Sequence, residues 1–299
     1  MPEKILCADI GGSFIDSAVV HDNSVLLARQ RVPTPRDDFQ AFALALKTLA
    51  DPHPGVALHI ALAGLQDPET GLCSAANIPC LNNRPIARLL SDLLERPVHI
   101  GNDADCFALA ESHQGVGRGH DSVFGIILGT GVGGGLVIGG KPVFGKNGLT
   151  GEWGHGPFVP DIRNAHDLLP CFPCGCGQRG CVDTIGGARG IERLYRWVGG
   201  NDNRESRAIL DAWRTGDSAA SRAIAHFLSY VSSALALAVN ITGATVIAVG
   251  GGLSNAVDLI DTLDIETRRR ILRRTDEPLV LRSSLGNNAG LIGATYLGR

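Results

Sequence analysis

The sequence predicts an α/β protein built as two related lobes facing one cleft, and three observations predict it. Apolar, strand-like runs alternate with amphipathic helical stretches along the chain. A strand, a glycine turn and a returning strand occur twice, at residues 5–20 and 123–138. No low-complexity linker interrupts the 299 residues, a length sufficient for two cores. The expected division is residues 1–117 with 285–299 in one lobe and 118–284 in the other.

Ile5 to Ala8 is a strand, Gly11-Gly12 turns the chain, and Phe14 to Val20 returns, a hairpin with Asp9 at its entrance. Phe39 to Leu49 has helical spacing, and Val56 to Ala63 reads as a buried strand. Ile86 to Leu94 is an amphipathic helix stopped before Pro97, and Val98 to Ile100 is a short strand. Asn102-Asp103 then precedes a helix over 104–111. In the second half Val123 to Leu128 is a strand, Gly129 to Gly135 a glycine-rich turn, and Leu136 to Ile138 the returning strand. Residues 191–240 are mostly helical, with Phe227, Leu228, Val231, Leu235 and Val239 as a core stripe. Thr245 to Val249 is a strand capped by Gly250, Gly251 and Gly252, and a small-residue helix occupies 289–297. The basic run Arg268 to Arg274 reads as a solvated helix face.

Composition narrows the function. A net charge of −3 with 19% charged residues gives no field that would attract nucleic acid or an anionic membrane. No apolar run approaches the roughly 20 residues of a membrane span. The opening Met-Pro-Glu-Lys leads directly into a strand with no secretory pattern, so a cytoplasmic enzyme is expected. Of the eight cysteines, Cys7, Cys73, Cys80 and Cys106 are scattered and read as buried thiols. Cys171, Cys174, Cys176 and Cys181 fall within eleven residues, which in a reducing compartment argues for metal.

The glycine loops differ in the element that comes after each. The loop with Thr130, Gly131, Gly133 and Gly134 has the spacing of a dinucleotide fingerprint, but a strand comes next where that motif needs a helix. Gly140 to Lys146 resembles a P-loop, but Asn147 replaces the required Ser or Thr. What remains is a turn offering backbone N–H groups to anionic oxygens. Asp9, Gly11, Gly12 and Ser13 offer the same, with a carboxylate that can hold Mg²⁺ or its waters. Capping of the turn is the alternative role for Asp9.

Cys174-Gly-Cys176-Gly-Gln-Arg-Gly-Cys181 is a knuckle whose thiolates can converge on Zn²⁺ in a closed, structural site. Cys171 and His155 compete for the fourth position, and spacing favours Cys171. A zinc ligand in Glu152-Trp-Gly-His155 would fix Glu152 for a sugar hydroxyl. Phosphorylating an alcohol needs a base, an aligned phosphoryl group and Mg²⁺, and Asp103 is the candidate base. Its alternative role is that of a helix N-cap.

Together these elements resemble the ROK family of sugar kinases from about Lys4 to Leu297. The hallmarks are Asp9-Ile-Gly-Gly12, Asn102-Asp103-Ala104, Gly129 to Gly135, Glu152-Trp-Gly-His155 and the cysteine knuckle. The resemblance implies an actin-like, ribonuclease H-like fold, ATP and Mg²⁺ as phosphoryl donor and cofactor, structural Zn²⁺, and a homodimer. It places the zinc ligands on His155, Cys174, Cys176 and Cys181, against the spacing preference for Cys171, and the base on Asp103. Sugar contacts fall on Asn77, Asn102, Asp103, Glu152, His155 and Asp183. The ATP site falls on the two glycine turns and Gly250 to Gly252.

Arg31 to Arg36, Ala75 to Pro79, Cys106 to Glu111 and Gly250 to Asn255 resemble the members that phosphorylate N-acetylglucosamine at its 6-hydroxyl. Kinases for N-acetylmannosamine or glucose are the alternatives. Three departures stand out: Ser13-Phe14 replaces Thr-Lys, Asp183 replaces a Glu, and Asp105 replaces an Asn. Asp105 adds a like charge expected to raise the pKa of Asp103. The family's repressors carry a helix-turn-helix ahead of the first strand, and only eight residues precede Asp9. A zinc-knuckle nucleic-acid binder is disfavoured by 5% aromatic content and negative charge.

Overall fold

Leu6 to Ile10 needs both faces covered, and the computed structural model, which describes residues 4–21, 25–159, 169–200 and 203–298, covers them. Strand β1 (Lys4–Ile10) pairs antiparallel with β2 (Phe14–His21), which pairs with β3 (Val25–Pro33). Helix α1 (Phe39–Ala50) is capped by Asp38, whose side chain accepts from the Gln40 and Ala41 N–H groups. Its buried stripe of Phe42, Leu46 and Leu49 lies in the same apolar cluster as β1. Each such side chain contributes about 1.5–3 kcal/mol on burial.

The chain continues through β4 (Leu58–Leu62), β5 (Leu65–Gln66), β6 (Cys73–Ser74), α2 (Ile86–Leu94), β7 (Val98–Asn102) and α3 (Asp103–Gln114). β4 is parallel to both β1 and β7, giving the order β3-β2-β1-β4-β7. Ligand-facing residues in such sheets sit at the carboxyl ends of parallel strands, where Asp9 and Asn102 stand.

The second half holds β8 (Ser122–Leu128), β9 (Val132–Ile138), β10 (Lys141–Pro142), α4 (Asp183–Gly186), α5 (Ala188–Trp197), α6 (Ser206–Arg214) and α7 (Ser218–Thr242). They are followed by β11 (Val246–Gly250), α8 (Val257–Arg268), β12 (Val280–Arg282) and α9 (Ala289–Ala294). The second sheet has the order β10-β9-β8-β11-β12, the same pattern as the first: a strand, its two successors on one side, two later parallel strands on the other. The repeat suspected from two glycine turns is thus a repeat of topology.

Helix α7 is long and apolar enough to cross a membrane by length and composition alone, with mean hydropathy 1.6 over its most apolar window. Phe227, Val231 and Leu235 are fully buried, and α7 packs on α5 and α8, so this is a core helix.

Two compact units result: Met1–Arg118, Gly135–Thr150 and Leu285–Arg299 in the first, Gly119–Gly134 and Gly151–Ser284 in the second. The expected boundary differs at 135–150, which group with the first unit. The Gly140 carbonyl there lies 3.0 Å from His113 Nε2 of α3.

Three local expectations need correction. The turn after β8 spans only Gly129–Gly131, because β9 begins at Val132 and takes Gly133 to Gly135 into the sheet. The basic run is not a helix face: α8 ends at Arg268, Ile271 turns inward and Arg273 and Arg274 are exposed beyond the helix. Strand β3 was unforeseen; it is an edge strand with Arg29, Gln30 and Arg31 all exposed, so it lacks the alternation of a half-buried strand.

Candidate active site

In the first unit the junction of β7 and α3 assigns separate tasks to adjacent residues. Asn102 is the N-cap: its Oδ1 accepts from Ala104 N–H at 2.9 Å and Asp105 N–H at 3.4 Å. Its Nδ2 donates to the Gly64 carbonyl at 3.0 Å. Asp103 therefore does not cap the helix; it is the first helical residue, half-buried, with Oδ1 2.9 Å from Ala104 N. Negative charge in a first helical turn is favoured by the helix dipole.

Asp9 is the next-to-last residue of β1 and is largely enclosed. Burial first, then the charges of Asp103 and Asp16, push its carboxyl up to about 7. Helix α9 makes room for it, since a methyl on Gly290 would overlap Asp9 Oδ2. Like-charge repulsion from Asp103 and Asp16 is thus felt at Asp9. Asp105 is 3% exposed and faces a small cavity of about 100 Å³ with Asn102, Gln66 and Phe144. The hairpin turn Gly11, Gly12 and Ser13 is braced by Thr34, whose hydroxyl donates to the Gly11 carbonyl at 2.7 Å and whose N–H donates to that of Ser13 at 3.0 Å. Asn77 is exposed and lies against Gly12.

In the second unit the turn Gly129 to Gly131 is clamped from two sides. The start of α5 donates to it, Ala188 N–H to the Gly129 carbonyl at 2.8 Å and Arg189 N–H to that of Thr130 at 3.3 Å. Asp183 Oδ1 accepts from Val132 N–H at 2.9 Å, so close to Gly131 that any side chain there would collide with it. Asp183, read from sequence as a sugar contact, thus braces the phosphate-sized turn. Trp153 Nε1 donates to the Gly133 carbonyl at 2.9 Å, tying the loop of Glu152 and His155 to β9. Glu152 is half-buried, and burial raises its carboxyl, offset by His155 and reinforced by Asp183.

The ligand atoms of His155, Cys174, Cys176 and Cys181 all lie within 4.8 Å of one another. Tetrahedral Zn²⁺ with ordinary bond lengths requires S···S of about 3.8 Å and S···N of about 3.6 Å. Cys176 and Cys181 Sγ are 3.7 Å apart, and Cys174 Sγ is 3.6 Å from His155 Nδ1. The donor set and spacing fit zinc, with no ligand position left for chemistry. His155 Nε2, the other ring nitrogen, is 3.5 Å from Glu152 Oε2, so a bound metal would orient the ring toward that carboxylate. Cys171, favoured by spacing alone, is not in the cluster; its carbonyl accepts from Arg179 at 2.7 Å.

A cavity of about 790 Å³ opens in the second unit beside Thr130 and Gly252. Gly250 ends β11 and Gly251 has φ 83°, which turns the chain so that Gly252 can line the cavity. Sequence reasoning missed its α6 wall, including Ser206, Leu210 and Arg214. Nothing in α6 marks it out, because its charge pattern is that of any surface helix.

A family model described as "ROK family" matches residues 5–299. The N-acetylgalactosamine kinase AgaK of Shewanella sp. is 37% identical over 295 residues, 97% of this chain and 95% of that protein. The N-acetyl-D-glucosamine kinase of Salmonella arizonae is 35% identical, covering 97% of each. Among solved structures, the ROK hexokinase from Thermus thermophilus superposes with a TM-score of 0.83 at 32% identity, over 97% of this chain and 96% of that one. A ROK family glucokinase from Streptomyces griseus, in complex with glucose and AMPPNP, gives 0.76 at 29%, over 97% of each.

Proposed function

The chain belongs to the ROK family, with the actin-like fold and ATP-dependent sugar kinase activity of its relatives, and from that premise we propose that it phosphorylates the 6-hydroxyl of N-acetyl-D-glucosamine. The observation that carries the mechanism is the placement of Asp103 at the start of α3: Asn102 is the N-cap, and the half-buried Asp103 carboxylate stands beside it as the first helical residue at the carboxyl end of β7. On this reading Asp103 takes the proton of the sugar hydroxyl as its oxygen attacks the γ-phosphorus of ATP, and the β–γ bridging oxygen leaves with ADP. General-base assistance of this kind contributes about 10²–10⁴-fold.

The glycine turns supply backbone N–H groups to the phosphates, and Asp183 supports the second turn from behind. Asp9, crowded by Asp103 and Asp16, has the electrostatics of a carboxylate that a divalent cation would relieve. Mg²⁺ bound there would neutralise charge on the phosphate oxygens. Glu152 and His155, with Asn77 and Asn102, are proposed to hold the sugar hydroxyls, and Asp183 to reach the sugar only through Oδ2. The cavity beside Thr130 and Gly252 is proposed to take the nucleoside. Zinc held by His155, Cys174, Cys176 and Cys181 would organise the His155 loop. The thiolate-rich centre suits a reducing cytoplasm, and the resemblance supports a homodimer.

N-acetylgalactosamine is the second reading, favoured by the 37% identity to a kinase of that sugar. Comparison of kcat/KM for N-acetylglucosamine, N-acetylgalactosamine, N-acetylmannosamine and glucose with ATP and Mg²⁺ decides it. N-acetylglucosamine is expected to lead. Another sugar ahead of it by tenfold or more, about 1.4 kcal/mol, would displace the assignment.

A further inference from the structure

One wall of the nucleoside cavity is the face of α6 formed by Ser206, Leu210 and Arg214, and Arg214 is held there in an unusual way. Its Nε and Nη2 each donate at 2.7 Å to Asp258 of α8. Its Nη1 donates at 2.7 Å to Asp211, one turn back on α6. Guanidinium donors all lie in the plane of the group, so carboxylates on two edges fix the plane. An exposed ion pair adds little to stability, so the value of this one is orientation. The surface that Arg214 has left for the cavity is its flat cationic face.

The rest of the pocket agrees with that surface. Leu210, Leu253 and Ala256 are apolar lining. Asn255, the polar lining side chain of the turn at Gly252–Asn255, donates back to the Gly252 carbonyl at 3.1 Å. Ser206, Arg207 and Asp211 line the pocket as well, and the apolar side chains beside the oriented guanidinium plane of Arg214 suit a flat heteroaromatic ring.

We propose that Arg214 stacks on the nucleobase of the phosphoryl donor, with Asp258 and Asp211 as positioning residues that keep its plane in place. This rests on the reading that the donor is a nucleoside triphosphate. Because every base has a π face, such a contact gives affinity with little discrimination among purines.

The test is steady-state kinetics of Arg214→Lys and Arg214→Ala, with melting curves recorded in parallel, and with inorganic tripolyphosphate as a base-free competitor of ATP. Both variants are expected to raise KM for ATP roughly three- to thirty-fold, more than they lower kcat. KM for the sugar and the inhibition constant of tripolyphosphate should hold. Asp258→Asn should shift KM for ATP in the same direction, and combining it with Arg214→Ala should add little. An unchanged KM for ATP in variants of an enzyme that turns ATP over would overturn the stacking role alone. So would a tripolyphosphate constant that rises in parallel, since Arg214 would then be serving the phosphates. Failure of the wild-type protein to use any nucleoside triphosphate would overturn the donor reading, and the stacking role with it.

Discussion

Replacing Asp9 by Asn removes a carboxyl that burial, Asp103 and Asp16 together push up to about 7 from an ordinary 3.8. The folded protein therefore holds this proton more tightly than the unfolded chain does. The stability linked to it is complete below about pH 4 and is lost as pH rises through about 7. A shift of roughly three pH units at ~1.4 kcal/mol each sets a ceiling of about 4 kcal/mol. Asp9 keeps some contact with solvent, which brings the expected effect to about 2–3 kcal/mol. Urea unfolding of the wild-type protein and Asp9→Asn, without Mg²⁺ or nucleotide, measures it; groups common to both proteins cancel in the difference. The variant should gain on the wild type as pH is raised from about 4 to about 8, and be the more stable protein at the upper end, although it should be catalytically poor. A gap independent of pH, or a variant weaker at about pH 8, would refute the crowding of carboxylates described at the β1 terminus.

Three other outcomes are expected. Asp103→Asn should fold and bind sugar but lose turnover by about 10²–10⁴-fold in a coupled ADP assay; near-normal kcat would remove Asp103 as the base. Metal analysis should find about one zinc per chain, with Cys176→Ser losing both the metal and thermal stability while Cys171→Ser keeps them; the reverse pattern would reinstate Cys171 as a ligand. Light scattering should return the mass of two chains, and a monomer at working concentrations would contradict the homodimer.

What could be read in the sequence depended on whether the signal was local. The apolar stripes of α1, α2 and α7 and the helix after Asn102-Asp103 are written in adjacent or helically spaced residues, and the structure matches them closely. A metal cluster was visible in the cysteine spacing, but its fourth member was not settled by it: His155 reaches Cys174 across 19 positions, spacing favoured Cys171, and the family motif favoured His155. Gly133 to Gly135 read as a turn because glycine has no side chain to alternate; membership of a strand was decided by sheet pairing. The tie of Asp183 to Val132 bridges 51 positions and has no local signature. The α6 wall was silent for the same reason, since Arg214 meets Asp258 only through the packing of the second unit.

The segment from Leu285 belongs to the first unit although it comes after the whole of the second in the chain. Its helix α9 lies against Asp9, and the Ala294 carbonyl sits 2.8 Å from the ring nitrogen Nδ1 of His59 in β4. During synthesis the first-made strands must therefore wait, with the surroundings of Asp9 unfinished, until the whole second unit has left the ribosome. A nascent chain stalled before Leu285 would therefore carry a completed second unit and a first unit that lacks α9.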